Sequence, residues 1–140
     1  MSYPVFLDTN ILLDFVFERE PFFDEAVSLF QLRADEELEF YIYALSLANL
    51  AYNIQRQKKN SRPIINVFLD WTHVIALNKD TFLQTIPSGF KDFEDGLQYF
   101  SAATIKDMEA IITRNKKDFF PSSIPVLTAG EYVKRFKENN

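Results

Sequence analysis

Tyr3-Pro4-Val5-Phe6-Leu7-Asp8-Thr9-Asn10-Ile11-Leu12-Leu13-Asp14 decides the fold. An apolar run, Val5 to Leu7, stops at a carboxylate. A polar pair follows, then a second apolar stretch closed by another Asp. The pattern predicts a buried strand ending at Asp8 and a helix starting directly after it. In an open α/β sheet, ligands bind beyond the carboxyl ends of the strands. Asp8 stands there, either as a site residue or as the cap of the next helix.

Working outward, Thr9 to Phe17 reads as a short helix, and Pro21 opens a second one with Asp24 and Glu25 in its first turn. Phe40 to Tyr43 is aromatic and branched and reads as a second strand. Ala44 to Gln57 is helical and carries Asn49 beside its apolar stripe. Pro63 opens a helix to Trp71, and Val74 to Leu77 reads as the third strand. A short helix over Thr81–Ile86 precedes the turn residues Pro87-Ser88-Gly89. Asp92 starts a helix whose buried side is read as Leu97, Phe100, Ala103 and Ile105. Ala110 to Thr113 is the fourth strand and Ile124 to Leu127 the fifth, its Pro pointing to a sheet edge. Gly130 to Glu138 reads as an exposed terminal helix. Alternating strands and helices predict one α/β domain over residues 1–140, built on a parallel sheet.

Composition narrows the chemistry. The 140 residues include 15 Phe and are 47% hydrophobic, enough for a sizeable core. With no Cys, disulfides, thiolate metal sites and Cys nucleophiles are excluded. That absence fits a reducing cytoplasm, where we expect the protein to work. No apolar run is long enough to span a membrane, and the N-terminus has no signal-peptide pattern. A net charge of −5 argues against a broad basic face for nucleic acid, while leaving room for a local basic patch. His73, the sole His, has no partner at ligand spacing and reads as structural.

Polar groups converge at the predicted strand ends. Asp8 ends the first strand and Thr113-Arg114-Asn115 ends the fourth. Glu94 and Asp95 open the helix that feeds the fourth strand, and Asn49 follows the second. Carboxylate oxygens gathered at one edge suit a hard cation such as Mg²⁺ or Mn²⁺. Such an ion can activate water and neutralise charge on a phosphate. The plain alternative is that Asp92, Glu94 and Asp95 only serve a helix N-terminus, the reading we favour for Asp92.

Phe6-Leu7-Asp8-Thr9-Asn10-Ile11-Leu12-Leu13-Asp14, Asp92-Phe93-Glu94-Asp95-Gly96-Leu97-Gln98-Tyr99 and Ile111-Ile112-Thr113-Arg114-Asn115-Lys116-Lys117-Asp118-Phe119 stand in order across most of the chain. Together they resemble the PIN domain family, the nuclease fold of the ribonuclease toxins in VapBC-type toxin–antitoxin pairs. The resemblance implies a three-layer α/β fold with a parallel sheet of order 3-2-1-4-5 flanked by helices. It implies a divalent-metal-dependent ribonuclease, an RNA substrate, an antitoxin protein and a homodimer. The family's acids fall on Asp8, Asn49, Asp95 and Asn115, so amides stand at two of these positions. Amide oxygens can ligate but bring no charge. We therefore expect Asp8 and Asp95 to hold one weakly bound Mg²⁺ or Mn²⁺, with Asn49 and Asn115 completing the catalytic shell.

Asn10, Asp14, Glu94, Thr113 and Asp118 are the expected supporting residues, with Glu94 and Asp118 able to restore charge. Arg114, Lys116 and Lys117 are the expected contacts to RNA phosphates. The same amides leave a second reading open, a PIN domain with little nuclease activity used as an RNA- or protein-binding module.

Overall fold

The computed structural model describes residues 2–140. Five parallel strands form one sheet: β1 (Tyr3–Leu7), β2 (Leu38–Tyr43), β3 (Thr72–Ile75), β4 (Ala110–Ile112) and β5 (Val126–Leu127). Their order is 3-2-1-4-5, as expected. Seven α-helices connect or follow them: α1 (Thr9–Val16), α2 (Phe23–Ala34), α3 (Ala44–Arg56), α4 (Arg62–Trp71), α5 (Lys79–Thr85), α6 (Phe93–Ala102) and α7 (Ala129–Asn139).

Strand alternation divides the core into two layers. Val5 and Leu7, with Leu38, Phe40, Ile42, Ala110 and Ile112, face a large cluster containing Leu29, Phe30, Leu50 and Phe68. Phe6, Tyr43 and Ile111 face the other way, against Leu97, Ala102, Met108 and Phe119. The chain builds outward from β1 to β2 and β3. It then crosses through α5 and α6 to β4, on the other side of β1. The carboxyl ends of β1 and β4 therefore frame a topological switch point.

Several boundaries differ from the sequence reading, each for a local reason. β3 starts at Thr72, two residues early, because it pairs along Phe40–Tyr43 and runs out of partner after Ile75. As an exposed edge, it accepts the polar Thr72 and His73 that an apolar pattern passes over. Helix α2 begins at Phe23 rather than Pro21, since the Phe22 N–H is spent on the Arg19 carbonyl in a turn. β5 shrinks to Val126–Leu127, and order places it at the edge its Pro suggested.

Helix α6 buries Gly96, Leu97, Gln98, Ser101 and Ala102 instead of the more apolar line. It ends before Ala103, and Ile105 lies beyond it. Helix α7 is not an exposed appendage. Thr128 and Glu131 close a capping box, while Tyr132 and Val133 are buried. No helix among the described residues is long and apolar enough to cross a membrane.

Candidate active site at the β1–β4 switch point

Asp8 directly follows β1 and is 4% exposed. Its backbone takes the N-cap position of α1, but its side chain makes no capping hydrogen bond. Both carboxylate oxygens are engaged elsewhere. Gln98 Nε2 donates to Oδ1 at 2.8 Å, and Thr113 Oγ1 donates to Oδ2 at 2.8 Å. Gln98 also accepts from the Thr9 N–H at 3.3 Å, and the Thr9 and Ser46 hydroxyls share a 2.6 Å hydrogen bond. One buried network thus ties β1, β4, α3 and α6 to Asp8. Burial raises the Asp8 carboxyl above its ordinary value, against the pull of Gln98 and Thr113.

Asp95 reaches the same region from the first turn of α6. Its carboxyl is pushed up to about 7, first by burial and then by Asp92, Asp8, Asp118 and Glu94. Asp92 caps α6, accepting from the Asp95 N–H at 3.1 Å, as its position suggested. Glu94 turns toward α3. It accepts from the Tyr43 hydroxyl at 2.9 Å and faces the Asn49 amide at 3.4 Å. Glu94 brings a carboxylate directly beside the amide of Asn49.

The other expected residues take distinct places. Asn115 is exposed, and its N–H donates to Thr113 Oγ1 at 3.0 Å. Asp118 lines a cleft with Lys91, Asp92, Asp95, Lys117 and Phe120. Asn10 is partly buried in the first turn of α1. Asp14 is 1% exposed, and Arg114 Nε approaches its Oδ2 to 3.2 Å without the alignment of a hydrogen bond. The Arg114 guanidinium also lies over the Phe22 ring at 4.1 Å. Lys116 pairs with Glu131 at 3.0 Å. Among the described residues, Lys117 has no such partner.

Sequence reasoning missed Gln98, Ser46 and Tyr43. Gln98 had a usable signal: it lies three residues after Asp95, on the same helical face. Tyr43, at the end of a strand, reads as core, and only the packing of α6 against β2 shows its hydroxyl on Glu94.

The donor set consists of carboxylate and amide oxygens, the chemistry of a hard divalent cation. Asp95 and the four acids around it leave negative charge that the nearby lysines do not cancel. Among the described residues, no three His, Asp or Glu side chains converge tightly enough to enclose an ion. An ion here would be held from one side by few carboxylates, with water or substrate oxygens completing the shell. Mg²⁺ is typically bound that way.

A parallel sheet of order 3-2-1-4-5 with acids gathered at the β1–β4 switch point defines an α/β protein with an acidic candidate site. The chain matches the PIN domain over residues 4–117 and belongs to that family. It is similar to Ribonuclease VapC1 of Aquifex aeolicus, with 26% identity over 141 residues and 96% of each chain covered. Its fold is similar to that of VapBC2 from Rickettsia felis bound to a promoter DNA fragment, at TM-score 0.63 and 18% identity. That match covers 89% of this chain and 96% of the other. A toxin–antitoxin complex from Klebsiella pneumoniae gives TM-score 0.63 at 24% identity, covering 89% and 97%.

Proposed function

We propose that this protein is a divalent-metal-dependent endoribonuclease and the toxin of a toxin–antitoxin pair. The observation that carries the reading is Asp8, buried after the first strand of a PIN domain and held by Gln98 of the helix that carries Asp95. The full-length similarity to a ribonuclease adds to it. Asp8 and Asp95 hold Mg²⁺ or Mn²⁺. When bound, the ion supplies Lewis acidity toward the phosphate and lowers the pKa of water.

The remaining chemistry belongs to the chain. Gln98 and Thr113 hold the Asp8 carboxylate in one orientation, each donating to one of its oxygens. Glu94, held by Tyr43, supplies beside Asn49 the anion that an amide lacks. Asn49 and Asn115 contribute amide oxygens directly or through water. Asp118 adds negative charge in the cleft it shares with Asp95. Lys117 orients the RNA backbone, while Arg114 and Lys116 must leave Asp14 and Glu131 to do the same. The protein partner is an antitoxin, by likeness to the two toxin–antitoxin complexes, and the family resemblance adds a second copy of the chain.

The test is cleavage of single-stranded RNA across a Mn²⁺ titration, with Asp8→Asn as control. Cation-dependent cleavage that Asp8→Asn abolishes is the expected result. RNA binding without cleavage at any cation concentration would leave a binding module instead.

A further inference from the structure

Phe120 is 71% exposed and lies on the wall of the cleft that holds Asp95. Exposure alone means little, since single apolar side chains are common at surfaces. The neighbours give it meaning. The cleft has a volume of about 450 Å³ and is lined by Lys91, Asp92, Asp95, Lys117, Asp118 and Phe120. That size suits a small ligand. Among the described residues, neither lysine is in an ion pair, and Phe120 packs on no other ring. Free cations, an unpartnered aromatic face and acids at one end match the parts of a nucleotide. They offer sites for its phosphates, its base and its reacting end.

The ring is also held in place. Phe119, just before it, is 1% exposed and anchored in the second core layer. The Phe120 N–H donates to the Lys117 carbonyl at 3.4 Å, closing a short 3-10 turn over Lys116–Phe119. Pro121 follows and fixes its own φ. Little backbone freedom is left to lose when a base settles on the ring. Elsewhere in the chain, exposed rings are occupied by their neighbours, as Phe82 is by Phe93 at 5.9 Å.

We propose that Phe120 is the stacking platform for one base of single-stranded RNA, beside the phosphate that Lys117 and Lys91 steer toward Asp95. This rests on the ribonuclease reading above and adds a base contact to it. Stacking on a ring tolerates any base, because every base has a π face. It requires an unpaired strand, because a duplex keeps its faces covered.

The experiment uses the full chain carrying Asp8→Asn, to prevent cleavage, in Mn²⁺. Fluorescence anisotropy measures its binding to a labelled single-stranded RNA and to copies with one abasic position each. Phe120→Ala should weaken binding about 5- to 100-fold, with an unchanged thermal midpoint. Phe120→Trp should restore it and show quenched fluorescence in the complex. One abasic position should weaken binding to the parent but leave Phe120→Ala indifferent.

Binding that Phe120→Ala leaves intact overturns the stacking role, while cleavage by the unmodified chain would keep the ribonuclease reading. Full rescue by Phe120→Leu also overturns it, since the ring would then be a plain apolar contact. A parent that binds no single-stranded RNA also overturns it, and the ribonuclease reading then stands or falls on cleavage by the unmodified chain.

Discussion

Asp14 is an ionisable group in a place built for an apolar one. It is 1% exposed, and Arg114 is the charge that faces it. Losing one partner of a buried pair leaves the other charge stranded and costs about 3–5 kcal/mol. The Arg114 side chain is 27% exposed, so solvent screens part of this, and Arg114→Ala should cost about 2 kcal/mol. Burial already raises the Asp14 carboxyl, against Arg114 and Arg19. A carboxyl raised on folding favours the folded state most when protonated, and the benefit is lost as pH rises through its folded value. Without Arg114 it rises further. The deficit of Arg114→Ala should therefore be largest near pH 8 and fade toward pH 4, with Asp14→Asn recovering most of it. Urea denaturation at several pH values checks this. A deficit independent of pH would assign the loss to the contact with Phe22. A second test at this scale is Thr113→Val, which keeps the shape but strips a donor from a buried carboxylate oxygen. It should lose about 1–3 kcal/mol.

Helix α6 carries Asp95 and Gln98, and its position depends on how closely α5 approaches. A Cβ at Gly96 would lie 2.6 Å from Thr85 Cγ2, and Thr85 is buried. Overpacking of this kind costs about 1–3 kcal/mol, while Gly to Ala inside a helix returns about 1 kcal/mol. Gly96→Ala should be destabilised by about 1 kcal/mol net and, by shifting Gln98, should lose activity out of proportion to stability. Matched denaturation and cleavage assays distinguish that from an effect on stability alone. The same helix marks the limit of sequence reading. Its start was legible, because Asp92 is a cap by type and position. Its buried face was not, because the side chains it buries include the polar Gln98 and Ser101, which apolar periodicity cannot flag. Strand order and the meeting of Asp8 with α6 followed from the motifs. The turn of Glu94 toward Asn49 depended on the packing of α6 over β2, which leaves no local trace in the sequence.

At the scale of the whole molecule, charge governs both cation and RNA. Fifteen basic and twenty acidic residues give −5, and five of the acids, Asp95 and the four around it, act together. Mn²⁺ should therefore raise the thermal midpoint by relieving repulsion. Stabilisation follows the ligand in excess of its dissociation constant, about 1.4 kcal/mol at a tenfold excess. Asp95→Asn should blunt the rise, and calorimetry should count one site. The same acidity makes RNA binding depend on few cations. Each phosphate neutralised on a single strand contributes about 0.7 to the slope of log affinity against log salt. Lys91 and Lys117 are free at the cleft, so the slope should be near −1.4, far shallower than that of a broad basic face. Lys117→Ala and Lys91→Ala should each remove about 0.7 of it. Lys116→Ala should remove less, because its ammonium already neutralises Glu131 at 3.0 Å. Arg114→Ala should change stability and leave the slope nearly alone, because its charge is spent on Asp14. Binding isotherms at several salt concentrations give all four slopes. An equal loss for all four substitutions would mean that RNA draws Arg114 and Lys116 away from their partners, and that the basic segment after β4 acts with Lys91 as one surface.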